Sequence, residues 1–227
     1  MRVVVFQHQA PIGSGFLGEA FERRGARLEV VRADLGQPIP ADLASADALM
    51  VLGGTMNVYQ EAEHPWLADE DRALKDAVER GQPVLGVCLG GQMLAKAMGA
   101  RVHLMTSREV GLMPIELTEA GKQDQLFAGL GPAPAFVSWH DDTFDVPEGA
   151  VRLAGSAGCA NHAFRVGERA YGLQFHPEVS TAMLDSWLEK VLPETKVDRA
   201  TFRGAVAEQE EALRGRADRL IGNFLGR

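Results

Sequence analysis

The chain has 227 residues, of which 46% are hydrophobic and 24% charged, a balance typical of a globular protein with a substantial core. Its net charge of −8, with Lys and Arg scattered along the chain, argues against nucleic acid as a partner. No segment is long and apolar enough for a signal peptide or a membrane span, which predicts a cytoplasmic protein with no membrane partner. The two cysteines, Cys88 and Cys159, stand in unlike contexts and indicate no disulfide framework.

Short β-branched runs alternate with helical patterns in the first part of the chain, which predicts a parallel sheet flanked by helices. The predicted strands there are residues 2–6, 28–31, 48–52 and 83–87, and the predicted helices are 16–24, 66–80 and 91–98. A strand-rich region follows, with segments at 110–117, 135–138, 151–154, 163–166 and 171–175. Residues 180–190 have a helical pattern, and 198–225 predict one or two amphipathic helices. We therefore predict a main domain at 1–190 and a C-terminal helical extension at 191–227, packed on the same domain.

The segment Gly86-Val87-Cys88-Leu89-Gly90 has the G-x-nucleophile-x-G pattern of a nucleophile elbow between a strand and a helix. Glycines flank the nucleophile because a Cβ at either position would collide with the neighbouring chain. The following helix places its positive end at Cys88, which favours the thiolate. The alternative is a buried cysteine in a glycine-rich turn, so the assignment depends on finding a base.

The segment Phe175-His176-Pro177-Glu178 supplies such a base. A residue before proline is pushed out of the helical region, so His176 is expected in extended backbone. Because residues i and i+2 of an extended chain point to the same side, Glu178 can orient the imidazole of His176. The alternative for a lone histidine is an edge residue with one backbone hydrogen bond. The nearby carboxylate and the separate cysteine elbow favour a catalytic triad of Cys88, His176 and Glu178.

The pair GVCLGGQ and GLQFHPE resembles the signature of the class I glutamine amidotransferase family, in particular the stand-alone group similar to the glutaminase domain of GMP synthetase. The resemblance runs from about the first strand to residue 190. It implies an α/β fold, a flavodoxin-like three-layer sandwich with a mostly parallel central sheet. The segment VLGGTMNVY resembles the family's oxyanion strand, which implies that the N–H groups of Gly54 and Leu89 form the oxyanion hole.

Further segments of the same family pattern imply substrate-binding residues. Gln92 matches a glutamine that lines the substrate pocket one turn after the nucleophile. The segment VSWHDDTF resembles a loop that borders the substrate in relatives, which implies a role for Trp139 and His140. Asp141 departs from the pattern, since relatives have glycine there, and Gly91 stands where relatives often have histidine.

The resemblance and the triad together predict a cysteine-dependent amidohydrolase that cleaves the side-chain amide of L-glutamine through a γ-glutamyl thioester. No cofactor and no metal are predicted, and a separate synthetase subunit is a possible partner for the released ammonia. An alternative keeps the triad in a γ-glutamyl peptidase that acts on γ-glutamyl peptides or glutathione-like conjugates. A regulatory module that has kept an old pocket is a non-enzyme alternative, although binding alone needs no nucleophile elbow.

Two other patterns are weaker. The segment from Gly13 to Gly18 imitates a dinucleotide-binding G-x-G-x-x-G, but residues 7–12 separate it from the first strand, so we predict a loop that enters the first helix. The scattered histidines show no metal-ligand spacing with Cys or carboxylates and are predicted to be surface or capping residues. These are His8, His64, His103 and His162.

Overall fold

A computed structural model describes residues 1–191 and 197–226. Its strands are β1 (Arg2–Gln7), β2 (Arg27–Arg32), β3 (Ala48–Val51), β4 (Val84–Val87), β5 (Val102–Pro114), β6 (Glu116–Leu117), β7 (Ala135–Phe144), β8 (Val151–Gly155), β9 (Ala163–Val166) and β10 (Ala170–Leu173). Its helices are α1 (Gly15–Arg23), α2 (Trp66–Glu79), α3 (Leu89–Ala97), α4 (Glu119–Gln123), α5 (Thr181–Ser186), α6 (Arg199–Glu208) and α7 (Glu210–Phe224). A π-helical turn at Trp187–Val191 follows α5. Residues 192–196 and 227 of the predicted extension lie outside the described part.

The central sheet has eight strands in the order β2-β1-β3-β4-β10-β9-β8-β6. The first five strands of this order pair in parallel, and the last three pair antiparallel at one edge. Parallel strands need helical crossovers, which the alternation of strands and helices in the sequence supplies. The predicted α/β fold with a mostly parallel sheet is therefore confirmed.

Helices cover both faces of the sheet, as the alternation of buried residues along the strands shows. In β1, Val3 and Val5 belong to a core that contains apolar residues of α1, α5, α6 and α7. Val4 and Phe6 belong to a second core on the other face, filled by apolar residues of α2 and α3. Neighbouring residues of a strand point to opposite faces, so a strand buried on both sides is apolar throughout. This arrangement gives three layers.

A separate two-stranded antiparallel ribbon of β5 and β7 stands beside the central sheet. Both strands are longer than predicted, because β5 begins at Val102 rather than residue 110 and β7 continues beyond residue 138 to Phe144. The added segments are rich in charged and polar residues, and their strand character comes from pairing with each other rather than from local apolar pattern. A bridge between Val137 and His176 joins the ribbon to the end of β10.

The C-terminal helices pack against the first helix and the ribbon. Phe224 of α7 makes an edge-on contact with Phe21 of α1 at 6.1 Å between ring centroids. Phe202 of α6 lies 5.8 Å from the ring of Trp139 in β7. The boundary at residue 190 stays a prediction. Among the residues that the structure describes, no helix has the length and apolar character needed to cross a membrane.

Candidate active site

Cys88 lies in a sharp turn between β4 and α3, with its backbone at φ 51° and ψ −107°. Within the described ranges it is the one non-glycine residue with positive φ, a conformation that costs free energy for an L-residue. A Cβ on Gly86 would strike the carbonyl of Gly90, and a Cβ on Gly90 would strike the carbonyl of Val51. Gly86 therefore lets β4 pack closely against the start of α3, and Gly90 lets the turn approach β3. α3 begins at the next residue, so the Cys88 side chain stands at a helix N-terminus.

His176 and Glu178 follow β10, the strand that pairs with β4, and this pairing brings them to the elbow. The backbone N–H of His176 donates to the carbonyl of Val137 at 2.7 Å, which fixes the residue against the ribbon. Its Nδ1 lies 2.7 Å from Oε1 of Glu178, and its ring lies close enough to the Cys88 side chain for the two groups to interact electrostatically. All three residues are buried, with Cys88 7% exposed. The structure thus brings the three predicted triad residues together.

The electrostatics of His176 favour its protonated form. Burial alone would lower the pKa of the imidazole, but the charges of Glu178 and Cys88 outweigh burial and raise the pKa to about 10. The ring of Trp187 stands edge-on to the imidazole at 4.9 Å, and its indole N–H donates to the carbonyl of Pro11 at 2.9 Å. An imidazolium at neutral pH is the partner that a thiolate at Cys88 requires.

Gly53 and Gly54, at the end of β3, face the elbow from the other side. A Cβ on Gly53 would lie 3.1 Å from the His176 ring, and one on Gly54 would lie 2.7 Å from the Leu89 side chain. The two glycines therefore leave room for the backbone to approach the site. Gly54 lines the same cleft as Cys88.

His8 is buried beneath this glycine pair, so its prediction as a surface or capping residue is wrong. Its Nδ1 lies 3.0 Å from the carbonyl oxygen of Gly53, and its Nε2 lies 3.0 Å from Oε2 of Glu70, also buried. Burial lowers the pKa of His8, but the charge of Glu70 more than offsets this and the net shift is upward. Both ring nitrogens can then donate. Sequence reasoning missed this brace because His8 and Glu70 are far apart along the chain.

A cleft opens above Cys88, with an empty volume of about 660 Å³ that includes the part open to solvent. The predicted substrate-binding residues Gln92, Trp139 and His140 all line this cleft. Nε2 of Gln92 donates to the carbonyl of Asp142 at 3.1 Å, which ties α3 to β7.

Asp142 is a cleft residue that the sequence analysis did not single out. One carboxylate oxygen accepts from the hydroxyl of Tyr59 at 3.0 Å, and the other is buried without a partner among the described residues. A buried, half-partnered carboxylate is suited to an ammonium group. The signal that could have found it is its place two residues after His140 in the segment VSWHDDTF.

Asp141, the departure from the family pattern, points to the rim of the cleft. Its carboxylate accepts two hydrogen bonds from Arg108 across the ribbon, at 2.6 and 2.8 Å. Both side chains are more than 40% exposed, so the pair contributes little to stability. Asp141 thus adds a charged pair at the cleft entrance.

The glycines between Gly13 and Gly18 serve packing at the start of α1. Gly15 has φ +41°, and a Cβ there would strike the carbonyl of Glu178. The next residue, Phe16, donates its N–H to that same carbonyl at 2.9 Å. Gly13 and Ser14 thus form the loop that enters α1 at Gly15, and the first turn of the helix holds the backbone of the predicted triad glutamate.

A second polar cluster lies behind the cleft and contains Glu109, His140, Cys159 and His162. His162 is fully buried, so its prediction as a surface or capping residue is wrong. The expectation that this histidine has no metal-ligand spacing is wrong as well, since Cys159 and His162 stand three residues apart and meet a carboxylate. The other two histidines of that group, His64 and His103, are partly exposed.

Comparison with known proteins places the chain in a family. Residues 16–191 match the profile of the class-I glutamine amidotransferases. Over 192 residues the chain is 30% identical to the glutamine amidotransferase-like protein YfeJ of Salmonella typhimurium, and this match covers 83% of the chain and 80% of that protein.

A glutamine-hydrolysing GMP synthase of Parasynechococcus marenigrum is 35% identical over 167 residues, which cover 71% of this chain and 30% of the synthase. The crystal structure of a glutamine amidotransferase from Thermotoga maritima superimposes with a TM-score of 0.91 at 28% identity, over 100% of this chain and 99% of that one. The elbow, the three-layer fold and these matches agree with one another. The chain therefore belongs to the class-I glutamine amidotransferase family.

Proposed function

We propose that the chain is a cysteine-dependent amidohydrolase that cleaves the side-chain amide of L-glutamine to glutamate and ammonia. The observation that carries the proposal is the contact chain from Glu178 through His176 to Cys88, with the cysteine in a positive-φ elbow at the floor of a cleft. A buried cysteine that served only packing would need neither the elbow nor the buried carboxylate behind the imidazole.

The reaction starts from a thiolate at Cys88 and an imidazolium at His176. The sulfur attacks the amide carbon of the substrate, and the carbonyl π electrons move to the oxygen. His176 then gives its proton to the amide nitrogen, ammonia leaves, and a γ-glutamyl thioester remains on Cys88. Glu178 holds the imidazole in the orientation and charge state that this proton transfer needs.

Hydrolysis of the thioester returns the site to its starting state. The now neutral His176 removes a proton from water, and the resulting hydroxide attacks the thioester carbon. Glutamate leaves, Cys88 departs as thiolate, and His176 is again an imidazolium. The sum is the hydrolysis of one amide bond by one water molecule.

The N–H groups of Gly54 and Leu89 form the oxyanion hole in this proposal. Leu89 is the first residue of α3, where N–H groups have no partner within the helix. Gly54 belongs to the opposite wall of the cleft. Removing one such donor costs about 2.7–4 kcal/mol in other hydrolases, so the pair accounts for a large part of the expected rate enhancement.

The substrate's α-ammonium group binds at Asp142 in this proposal, because that residue lines the cleft and one of its carboxylate oxygens is buried without a partner among the described residues. Trp139 and Gln92 border the methylene chain and the amide. His140 forms part of the wall rather than donating to substrate, since Nδ1 contacts the carbonyl of Asp142 and Nε2 contacts Glu109.

The test is an assay of the purified chain with L-glutamine and a panel of γ-glutamyl peptides, following glutamate and ammonia release. Cys88→Ser should abolish turnover, and His103→Ala should serve as the matched histidine control for His176→Ala because His103 lies on the ribbon away from the cleft. Loss of activity in His176→Ala with full activity in His103→Ala supports the proposal. Full activity in Cys88→Ser would refute it.

The panel also separates the substrate alternatives. Fast, Cys88-dependent release of glutamate from peptides but not from glutamine would replace the glutaminase with a γ-glutamyl peptidase. Slow glutamine hydrolysis with no peptide activity would favour a glutaminase that awaits a synthetase partner. The GMP synthases suggest the latter arrangement, because the region that matches this chain makes up about a third of the synthase.

A further inference from the structure

The second polar cluster combines a carboxylate, two imidazoles and a thiol in a buried place outside the proposed triad. The potential ligand atoms of Glu109, His140, Cys159 and His162 all lie within 4.8 Å of one another. Nε2 of His140 lies 3.2 Å from Oε2 of Glu109, and Nε2 of His162 lies 2.7 Å from the same oxygen. All four residues are at most 9% exposed.

The fold assembles this cluster from three segments. Glu109 and His140 are direct partners in the register of the ribbon, and the loop between β8 and β9 contributes Cys159 and His162. The loop is held in place by Ser156, whose hydroxyl accepts from the N–H of Cys159 at 2.9 Å. Three separate backbone segments thus converge on one point, as they do in zinc sites whose ligands come from separate strands and loops.

The hydrogen bonds of His140 restrict which proton or cation can lie between its ring and Glu109. Its Nδ1 lies 3.0 Å from the carbonyl oxygen of Asp142, which can only accept, so Nδ1 carries a proton. In a neutral ring Nε2 then has no proton, and its lone pair faces the carboxylate of Glu109. Two buried hydrogen-bond acceptors that face each other repel unless a proton or a cation lies between them.

We propose that Glu109, His140, Cys159 and His162 form a structural zinc site. Two imidazoles, one thiolate and one carboxylate are a donor set that Zn²⁺ accepts, and four protein ligands complete its tetrahedral shell. The charges also balance, because the thiolate and the carboxylate together neutralise Zn²⁺. A neutral buried site avoids the desolvation cost of an unpaired charge.

The surroundings fit a thiolate and a fixed carboxylate. The hydroxyl of Thr143 lies 3.2 Å from the sulfur of Cys159 and can donate to it, and the hydroxyl of Ser156 donates to the other oxygen of Glu109 at 2.5 Å. Such outer contacts orient metal ligands.

Zinc at this point would stiffen the cleft wall without taking part in the reaction. His140 lines the cleft, and its Nδ1 contacts the same carbonyl of Asp142 that accepts from Gln92. A metal that fixes the ring of His140 therefore fixes that carbonyl and the strand that bears Asp142. The expected bond lengths are about 2.3 Å for zinc to sulfur and about 2.0–2.2 Å for zinc to nitrogen and oxygen. To reach these lengths, the more distant ligand atoms need to move toward the metal, and the hydrogen-bonded ones need to move apart, by less than about 1 Å.

The experiment uses the whole chain, freed of metal with a chelator and then dialysed against micromolar Zn²⁺ or Co²⁺. We expect one metal ion per chain by elemental analysis, and with Co²⁺ the near-ultraviolet band of a sulfur-to-cobalt transition with visible bands of tetrahedral intensity. Cys159→Ser and His162→Gln should each weaken binding at least about tenfold. His162→Gln is the conservative variant, since its amide can still donate to Glu109 and keep the metal-free fold.

Cys88→Ser is the control that separates this cluster from the proposed triad, where a thiolate and an imidazole could also hold a metal. It should keep the bound metal and the cobalt spectrum of the wild-type chain. The proposal is overturned by any of three results: no stoichiometric metal on the wild-type chain, equal binding in Cys159→Ser and His162→Gln, or metal that is lost in Cys88→Ser.

Discussion

The buried pair of His8 and Glu70 allows a test of how the chain orients the proposed oxyanion donor at Gly54. The carbonyl of Gly53 and the N–H of Gly54 belong to one planar peptide unit and point in opposite directions. A hydrogen bond from His8 to that carbonyl therefore sets the direction of the N–H. We choose the double variant His8→Phe with Glu70→Met, which removes the brace and leaves no unpaired buried charge.

The expected effect follows from the charge-assisted hydrogen bond that is lost. Such a bond is worth about 1.5–3 kcal/mol. If the Gly53–Gly54 peptide has similar energy in its flipped orientation without the bond, the bond favours the orientation that points the Gly54 N–H at the oxyanion by roughly 10- to 150-fold. The upper limit is the loss of one complete oxyanion donor, about 10²–10³ in kcat. Removing His8 alone would leave Glu70 charged and buried at a cost of about 3–5 kcal/mol, whereas removing both partners should leave the free energy of unfolding nearly unchanged.

The assay compares kcat for glutamine hydrolysis with the rate at which iodoacetamide alkylates Cys88. Alkylation needs the thiolate but no oxyanion hole, so we expect the double variant to lose turnover and to alkylate at the wild-type rate. Glu70→Gln is the matched control, because the amide can donate to Nε2 of a neutral His8 while Nδ1–H still donates to Gly53. Wild-type kcat in the double variant, or an equal fall in alkylation, would refute the reasoning.

Four further outcomes are expected. His176→Ala should lower kcat more than Glu178→Gln does, since Glu178 orients the imidazole without touching substrate; the reverse order in steady-state assays would count against these roles. The pKa of His176 is raised to about 10, against about 6.5 in the unfolded chain. The stability that the imidazolium contributes is therefore complete below about pH 6.5 and is lost as the pH rises through about 10. The pH–rate profile should accordingly fall near pH 10 in the wild type and at lower pH in Glu178→Gln. A profile that falls near pH 7 in the wild type would contradict the thiolate–imidazolium pair. Gly90→Ala should destabilise the fold by at least about 1–3 kcal/mol in urea titrations because its Cβ would strike the carbonyl of Val51. Gly215→Ala, a helix position with open space around it, should instead stabilise by about 0.5–1 kcal/mol and leave kcat unchanged, and a loss of stability there would show that the space is not free.

Short-range patterns were sufficient to predict the fold and the elements around the elbow. The strand before Cys88 and the glycines on either side of it lie within the seven residues from Val84 to Gly90, so the sequence itself contains the turn. The proximity of His176 and Glu178 likewise depends on a two-residue spacing in extended backbone. The parallel sheet follows from alternation of buried strands with amphipathic helices.

Features that depend on long-range pairing were missed, because nothing local marks them. The polar halves of β5 and β7 resemble loops until they pair, and only the register of that pairing places Glu109 opposite His140. His8 and His162 were misassigned for the same reason, since each finds its carboxylate far along the chain. No local pattern marks the burial of His8, whereas the one local signal at His162 is its place three residues after Cys159.

The ribbon of β5 and β7 links the two sites of this molecule, and this link explains why His140 is held at both ring nitrogens. β7 supplies Trp139, His140 and Asp142 to the cleft, and His140 also belongs to the cluster with Glu109. A strand that lines a cleft must resist displacement when substrate binds, and a short two-stranded ribbon is only marginally stable alone. In the zinc proposal the cluster serves the cleft indirectly, because a metal bound to His140 would fix the strand that carries the proposed substrate contacts.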